Sequence, residues 1–169
     1  MKNKSIPFKH MKLTFKDKTS IKIINNSFNE YDSNNNLIHY KDSNGYEFWN
    51  EYDSNNNLIH RKNSNGYEYW YDSKNNLIHS KESNGYEVWY EYDSKNNVIH
   101  SKNSDGYEYW NEYDSNNNLI HCKYSTGYEY WYDYKGNKIS KEEFEKNKSN
   151  CNGKEVMIDG KKYQLTLIK

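Results

Sequence analysis

Asp105–Trp131 reads DGYEYWNEYDSNNNLIHCKYSTGYEYW, and Asn44–Trp70 reads NGYEFWNEYDSNNNLIHRKNSNGYEYW. The likeness extends along much of the chain. Gly45, Gly66, Gly85, Gly106 and Gly127 are spaced by 21, 19, 21 and 21 residues. The same intervals separate Trp49, Trp70, Trp89, Trp110 and Trp131, and again His39, His60, His79, His100 and His121. A fixed period of roughly 20 residues marks a tandem structural repeat. Each unit holds two extended runs, such as YEFWNEYD from Tyr46 and LIHYK from Leu37, separated by turn-forming residues.

The turns are of two kinds. Asn-Gly or Asp-Gly at 44–45, 65–66, 84–85 and 105–106 predicts a tight hairpin in which both residues take positive φ. The DSNNN run predicts Asx turns, in which Asp and Asn side chains accept bonds from nearby backbone N–H groups. One repeat is therefore one β-hairpin. The 19-residue interval supports strands over helices. The residues equivalent to Asn50-Glu51 are missing between Trp70 and Tyr71, and again after Trp131. Losing two residues keeps later strand side chains on their original faces, whereas a helix would turn by about 200°.

Composition agrees. Alanine is absent, Pro7 is the single proline, and 19 Tyr, 5 Trp and 5 Phe dominate the apolar residues. Aromatic residues suit strands, and the lack of alanine disfavours helices. Strand alternation places Tyr67, Tyr69 and Tyr71 on one face, with Glu68, Trp70 and Asp72 on the other. The same rule predicts that Leu58 and His60 share a face and that Ile59 takes the opposite one. Both faces are then partly apolar, so the array is expected to curl, roll up or be covered on one side.

The ends differ from the middle, as the caps of an array do. Met11, Leu13 and Phe15 alternate, KDKTS turns, and Ile21 and Ile23 resume the pattern. Residues 1–27 are thus an N-terminal hairpin cap and residues 28–139 a five-repeat hairpin array, with SFNEYD at 27–32 a degenerate half-repeat. Residues 140–169 form a C-terminal helix plus hairpin cap. Ser140 and Glu143 stand in capping-box register. A hairpin around Asp159-Gly160 sets Val156 and Ile158 against Tyr163, Leu165 and Leu167. The fold class is all-β: an antiparallel meander or solenoid-like array with a short helix and a hairpin at the C-terminus.

The GYEYW…YDSNNNLI unit resembles the YD repeats of Rhs-type proteins, in which Y-D-x-x-G-N-L precedes a turn and a Gly-led strand. It is also similar to the MORN-variant repeats of YwqK-like bacterial antitoxins. The resemblance covers about residues 28–139. Asn35, Asn56 and Asn117 stand where those families carry Gly, and Gly136 in YDYKGN restores it. A third resemblance is to the choline- and glucan-binding repeats of cell-surface proteins. The antitoxin likeness implies a protein partner.

Several chemistries are weighed against the repeat. The five His would lie about 10 Å apart in a meander, two strands per repeat, too far to share a metal bonded at about 2 Å. A one-coil-per-repeat solenoid would bring them together; in a meander each is expected to pack beside Leu. DSNNN lacks the central Gly and twelfth-position Glu of a calcium loop. Glu47, Glu68, Glu87, Glu108 and Glu129 occupy equivalent places, whereas a catalytic carboxylate pair needs two unlike environments. No nucleophile motif or phosphate loop is present, so no catalytic residue, metal or cofactor is expected. Lys+Arg and Asp+Glu are both 24, which argues against nucleic acid as a partner. The start of the chain has no apolar run of membrane or signal-peptide length, and Cys122 and Cys151 form no motif. A cytoplasmic protein with no membrane partner is the expectation.

Variation among the repeats offers a positive indication. The residues flanking the repeat Lys differ: Tyr40/Asp42, Arg61/Asn63, Ser80/Glu82, Ser101/Asn103 and Cys122/Tyr124. A constant scaffold with one variable exposed stripe is how repeat proteins build a binding surface. Tyr40, Asp42, Arg61, Asn63, Glu82 and Tyr124 are therefore candidate partner-binding residues, together with Trp49, Trp70, Trp89 and Trp110. The expected function is non-catalytic binding of another protein, as an immunity protein, antitoxin or phage-type inhibitor blocking a toxin or defence enzyme. A carbohydrate-binding module using the Tyr and Trp rows is the alternative.

Overall fold

The structure, a computed structural model, describes residues 10–24, 27–149 and 155–164. The strands are β1 (His10–Thr14), β2 (Ser20–Ile24), β3 (Ser27–Tyr31), β4 (Leu37–Lys41), β5 (Glu47–Tyr52), β6 (Leu58–Asn63) and β7 (Glu68–Tyr71). They continue with β8 (Leu77–Lys81), β9 (Glu87–Tyr92), β10 (Val98–Asn103), β11 (Glu108–Tyr113), β12 (Leu119–Tyr124), β13 (Glu129–Tyr132) and β14 (Lys138–Ile139). These fourteen form an antiparallel meander in chain order. Helix α1 (Lys141–Ser149) follows, then a separate hairpin of β15 (Glu155–Ile158) and β16 (Lys161–Gln164). The chain divides into two compact units, residues 1–91 with 102–106 and residues 92–101 with 107–169.

Each connection within the array is a three-residue loop rather than the expected two-residue turn. In Asp42–Tyr46 the Gly45 N–H donates to the Asp42 carbonyl and the Asp42 N–H to the Tyr46 carbonyl. Only Gly45 has positive φ (89°); Asn44 does not. This is a type I turn closed by one left-handed residue. The DSNNN loops have the same bonding, with Asn35, Asn56, Asn75, Asn96 and Asn117 at φ 66–67° in the left-handed place. The expected Asx turns are present. Asp53 Oδ1 accepts the N–H groups of Asn55 and Asn57, both at 2.8 Å, and Oδ2 accepts from Asn57 Nδ2 at 3.0 Å. The two-residue turn does occur at Asp159-Gly160, where both φ are positive (49° and 73°) and Ile158 pairs with Lys161. Val156 faces Tyr163 as expected, whereas Ile158 meets Lys161; Leu165 and Leu167 lie outside the described residues.

The register corrects one face assignment. Across β5 and β6, Glu51 pairs with His60 but Tyr52 pairs with Leu58, so Ile59 is an extra residue. The same bulge recurs at Ile38, Ile78 and Ile120. A bulge sets two residues against one and breaks the alternation. Leu58 therefore joins Tyr52 on one face while His60 joins Glu51 on the other.

Burial is slight. Among the described residues the buried hydrophobic side chains are Cys122 (2% exposed) and Phe144 (8%). The strand order runs from β1 to β14 without closing, so the sheet does not roll up into a closed array. Helix α1 packs on β13 through Phe144. Ser140 Oγ caps it by accepting the Glu143 N–H at 3.1 Å, and Glu142 and Glu143 place negative charge in its first turn. No described helix is long and apolar enough to cross a membrane.

Candidate functional site

The pairing register sorts the repeat residues onto two faces. One carries His, Trp, Glu and Lys. His39 pairs with Trp49 and Lys41 with Glu47, and the pattern recurs at His60/Trp70, His79/Trp89 and His121/Trp131. The imidazoles lie flat on the indoles rather than beside Leu, with His39–Trp49 centroids 4.9 Å apart at 10° and His100–Trp110 5.1 Å apart at 8°. Leu is excluded from this contact by the bulge, which turns it to the other face. His79 Nε2 meets Glu87 Oε2 at 2.8 Å, and His39 Nε2 meets Glu47 Oε2 at 3.0 Å. Lys41 also pairs with Glu47, and this ion pair, followed by the His39 bond, holds the Glu47 carboxyl below its ordinary range.

The shortened repeat changes the stacking. In the full-length hairpin Trp49 pairs with Lys62, whose Nζ lies 5.7 Å from the ring centroid. Loss of two residues moves Trp70 opposite His79 instead. His60, Trp70, His79 and Trp89 then form one continuous stack, with successive centroids 4.9, 4.2 and 4.9 Å apart. The second short repeat ends with Trp131 between His121 and Lys141. Among the described residues no group of three or more His, Cys, Asp or Glu gathers about a point where one metal could sit.

The second face carries Tyr, Phe, Asn and the single arginine. Tyr40 stacks on Phe48 at 5.1 Å, and the Arg61 guanidinium lies 4.9 Å from the same ring. Arg61 Nε donates to Asn50 Oδ1 at 2.7 Å. Asn50 is 5% exposed, and its Nδ2 donates to the Leu37 carbonyl at 2.8 Å, beside the Ile38 bulge. Tyr52 Oη donates to that carbonyl as well, at 3.1 Å. Asn111 and Tyr113 repeat the arrangement on the Val98 carbonyl, with Cys122 in place of Arg61. Asn50 thus holds the strand edge with one end of its amide and orients the guanidinium with the other. Sequence reading missed it, although Asn50-Glu51 and Asn111-Glu112 are the very dipeptides that the short repeats lack.

The candidate residues do not form one surface. Trp49, Trp70, Trp89 and Trp110 lie on the His face, and Tyr40 and Arg61 on the Tyr face. Asp42 and Asn63 each lead a loop. Their Oδ1 atoms accept two backbone N–H groups apiece, which makes them turn formers. Glu82 leads a loop in which Asn84 Oδ1 takes over that role for Tyr86 N–H. Tyr124 packs among Tyr107, Tyr109 and Tyr130. Its hydroxyl shares a 3.7 Å hydrogen bond with the Cys122 sulfur, and that bond, with burial, pushes the phenol up to about 12. The variable stripe is not uniformly exposed: Ser101 (5%) and Cys122 (2%) are buried, because this position packs beneath its neighbours on the Tyr face.

No family model matches the chain, and no curated protein does. Solved structures similar to it include the Photorhabdus luminescens Tc holotoxin pore containing a TccC3 mutant, at 17% identity and a TM-score of 0.47. Two others are TcdB2-TccC3-TEV, at 16% identity and a TM-score of 0.47, and TcdB2-TccC3-Cdc42, at 18% and 0.46. Each match covers 71% of this chain and 7% of the other. The chain therefore spans about 7% of the length of these matched chains. The resemblance to YD and MORN-type repeats rests on the residues quoted earlier, and the tandem hairpin array that it implies is what the chain forms.

Proposed function

We propose that the chain is a non-catalytic binding protein that occupies the surface of another protein. In this reading it acts in the cytoplasm as an immunity protein, antitoxin or mobile-element inhibitor against a toxin or defence enzyme. The observation that carries the reading is the Tyr40–Phe48–Arg61 cluster. Tyr and Arg dominate binding hot spots. Here the arginine is held in place by Asn50 and Phe48, and it has no carboxylate partner among the described residues. A guanidinium fixed before binding loses little entropy when it meets an acidic group.

The His face supports the choice between readings. Sugar platforms need a row of open indole faces, but Trp70 is covered by His60 and His79 and Trp49 by His39 and Lys62, which leaves the more exposed Trp89 and Trp110 separated rather than in a continuous row. The repeated Glu side chains share one environment of His and Lys, which suits a charged surface better than acid–base catalysis. The free Cys122 thiol fits a reducing compartment.

The test is capture from host lysate in defined salt, comparing the native chain with Tyr40→Ala and Arg61→Ala and with a His-face control, Glu51→Ala. The expected result is a stoichiometric protein partner lost with the first two variants and kept with the third. Purified, that partner should lose its own activity when the chain is added at one equivalent. A partner retained by both Tyr-face variants, or retention on glycan columns alone, would overturn the proposal.

A further inference from the structure

The two ends of the sheet are built differently. At one, β14 is two residues long and α1 packs on the neighbouring β13. At the other, β1 is five residues long, holds no proline and pairs with β2 alone among the described strands. A free strand edge presents unpaired backbone donors and acceptors. The register shows which residues carry them. The Phe15 N–H donates to the Thr19 carbonyl at 2.9 Å, so the Phe15 backbone is turned towards β2. By antiparallel alternation the backbones of Leu13 and Met11, opposite Ile21 and Ile23, are turned the same way. The N–H and C=O groups of His10, Lys12 and Thr14 therefore point away from the sheet.

The side chains of this strand sort by face. Met11, Leu13 and Phe15 share one face with Ile21 and Ile23 and remain 48%, 56% and 45% exposed. Lys12 lies on the other face, directly opposite Lys22, where like charges repel. Lys22 turns over the Tyr31 ring, its Nζ 4.1 Å from the centroid. Lys12 has no carboxylate partner among the described residues. Asp17, the nearby acid, bonds Thr19 within its own loop at 3.0 and 2.7 Å. Residues 10–24 hold four Lys against that one Asp, whereas residues 28–139 hold ten Lys or Arg against eighteen Asp or Glu. The balanced total charge conceals a basic cap on an acidic array.

We infer that β1 accepts an extended acidic segment of another protein as an added strand, one in which Asp or Glu alternates with apolar residues. The outward backbone groups of His10, Lys12 and Thr14 bond the incoming main chain. An acidic side chain falls beside Lys12 and offsets its repulsion by Lys22. The apolar neighbours fall beside Met11 and Leu13 and remove them from water. Because side chains alternate with period two on both strands, one such segment satisfies both faces together. A second copy of β1 does not, since pairing centred on the strand sets Lys12 against Lys12 of the second copy. Nucleic acid fits less well: phosphates accept but do not donate, and aliphatic side chains give bases no stacking platform. The edge is separate from the Tyr40–Phe48–Arg61 cluster, so either role can fail without the other.

The test follows the backbone amides of the full chain by NMR as blocked heptapeptides alternating Val with Glu, Gln or Lys are added. The Val–Glu peptide is expected to shift the His10, Lys12 and Thr14 amides saturably. It should bind at least about threefold more tightly than the Val–Gln peptide, a ratio that one exposed ion pair supplies. Methylating its Glu nitrogens should abolish binding, because the residue opposite Lys12 turns its own N–H towards β1. Lys12→Glu, a change at an exposed position, should reverse the preference in favour of the Val–Lys peptide. No saturable shift in β1 with any peptide, equal binding of the Val–Glu and Val–Lys peptides, or unchanged binding of the methylated peptide would overturn the inference. So would tighter binding of a thymidine oligonucleotide at the same amides, or self-association of the free chain that protects them.

Discussion

Replacing Asn50 by Ala should destabilise the protein far more than replacing its repeat equivalent, Asn111. Asn50→Ala removes a 2.8 Å bond to the Leu37 carbonyl and a 2.7 Å bond from the Arg61 guanidinium, at a site 5% exposed. A net hydrogen bond contributes about 0.5–1.5 kcal/mol, and one to a charged group about 1.5–3 kcal/mol. Arg61 is half-buried, so its bond sits at the low end of that range. The sum is a loss of about 2–3 kcal/mol. Asn111→Ala removes a 3.1 Å bond to the Val98 carbonyl, with Cys122 rather than Arg opposite, so a loss of about 1 kcal/mol is expected. Urea unfolding followed by tryptophan fluorescence measures both, provided the slope is unchanged. The cycle of Asn50→Ala with Arg61→Met should show a coupling of about 1 kcal/mol, because the second change has no partner left to lose. Equal losses at the two asparagines, or a coupling near zero, would refute the claim that Asn50 orients Arg61.

Gly66→Ala should cost more than Gly45→Ala. Both place Cβ at positive φ, worth about 1–2 kcal/mol, but only at Gly66 does the new atom meet Ser83 Cβ, at 3.1 Å. Denaturant midpoints would check the order. Acid should weaken the array through its turns. Asp53, Asp93, Asp114 and Asp133 are held below their ordinary value, first by the side-chain amides of Asn57, Asn97, Asn118 and Asn137. A depressed folded value means that their contribution is complete above the unfolded value of about 3.9 and is lost as pH falls through the folded values. Asp93→Asn, which keeps a side-chain acceptor as Asn63 does, should flatten the stability–pH curve below about pH 4; an unchanged curve would contradict the assignment. Ser140→Ala should cost about 1 kcal/mol and fray α1, read as faster amide exchange in the helix with the array unaffected.

Much of the array was legible from residue identity and spacing. The strands, the Asx turns, the helix cap and the Asp159-Gly160 hairpin all follow from local rules that need no tertiary information. Three features were not legible. The Gly-led loops close over three residues whether Asp42, Asn63, Glu82 or Tyr124 leads them, a loop length that counting Asn-Gly and Asp-Gly dipeptides misses. The bulges at Ile38, Ile59, Ile78 and Ile120 leave no compositional trace, since Leu-Ile-His fits plain alternation equally well. Pairing of Trp with His depends on the offset between neighbouring strands, and that offset is set jointly by bulge and loop. The candidate surface suffered from the same gap. Its residues were chosen by variability, and only the pairing register shows that they belong to opposite faces and that Ser101 and Cys122 are covered.

The three-residue loops have a kinetic consequence. Strands neighbouring in the meander are also neighbours in sequence, so a hairpin closes over a few residues and the next strand adds to an edge already present. All-β proteins usually fold slowly because distant segments must meet first. In the described array each strand pairs with its neighbours in sequence, so the search there is local and the rate should follow closure of the single loops, in the microsecond range for an isolated hairpin.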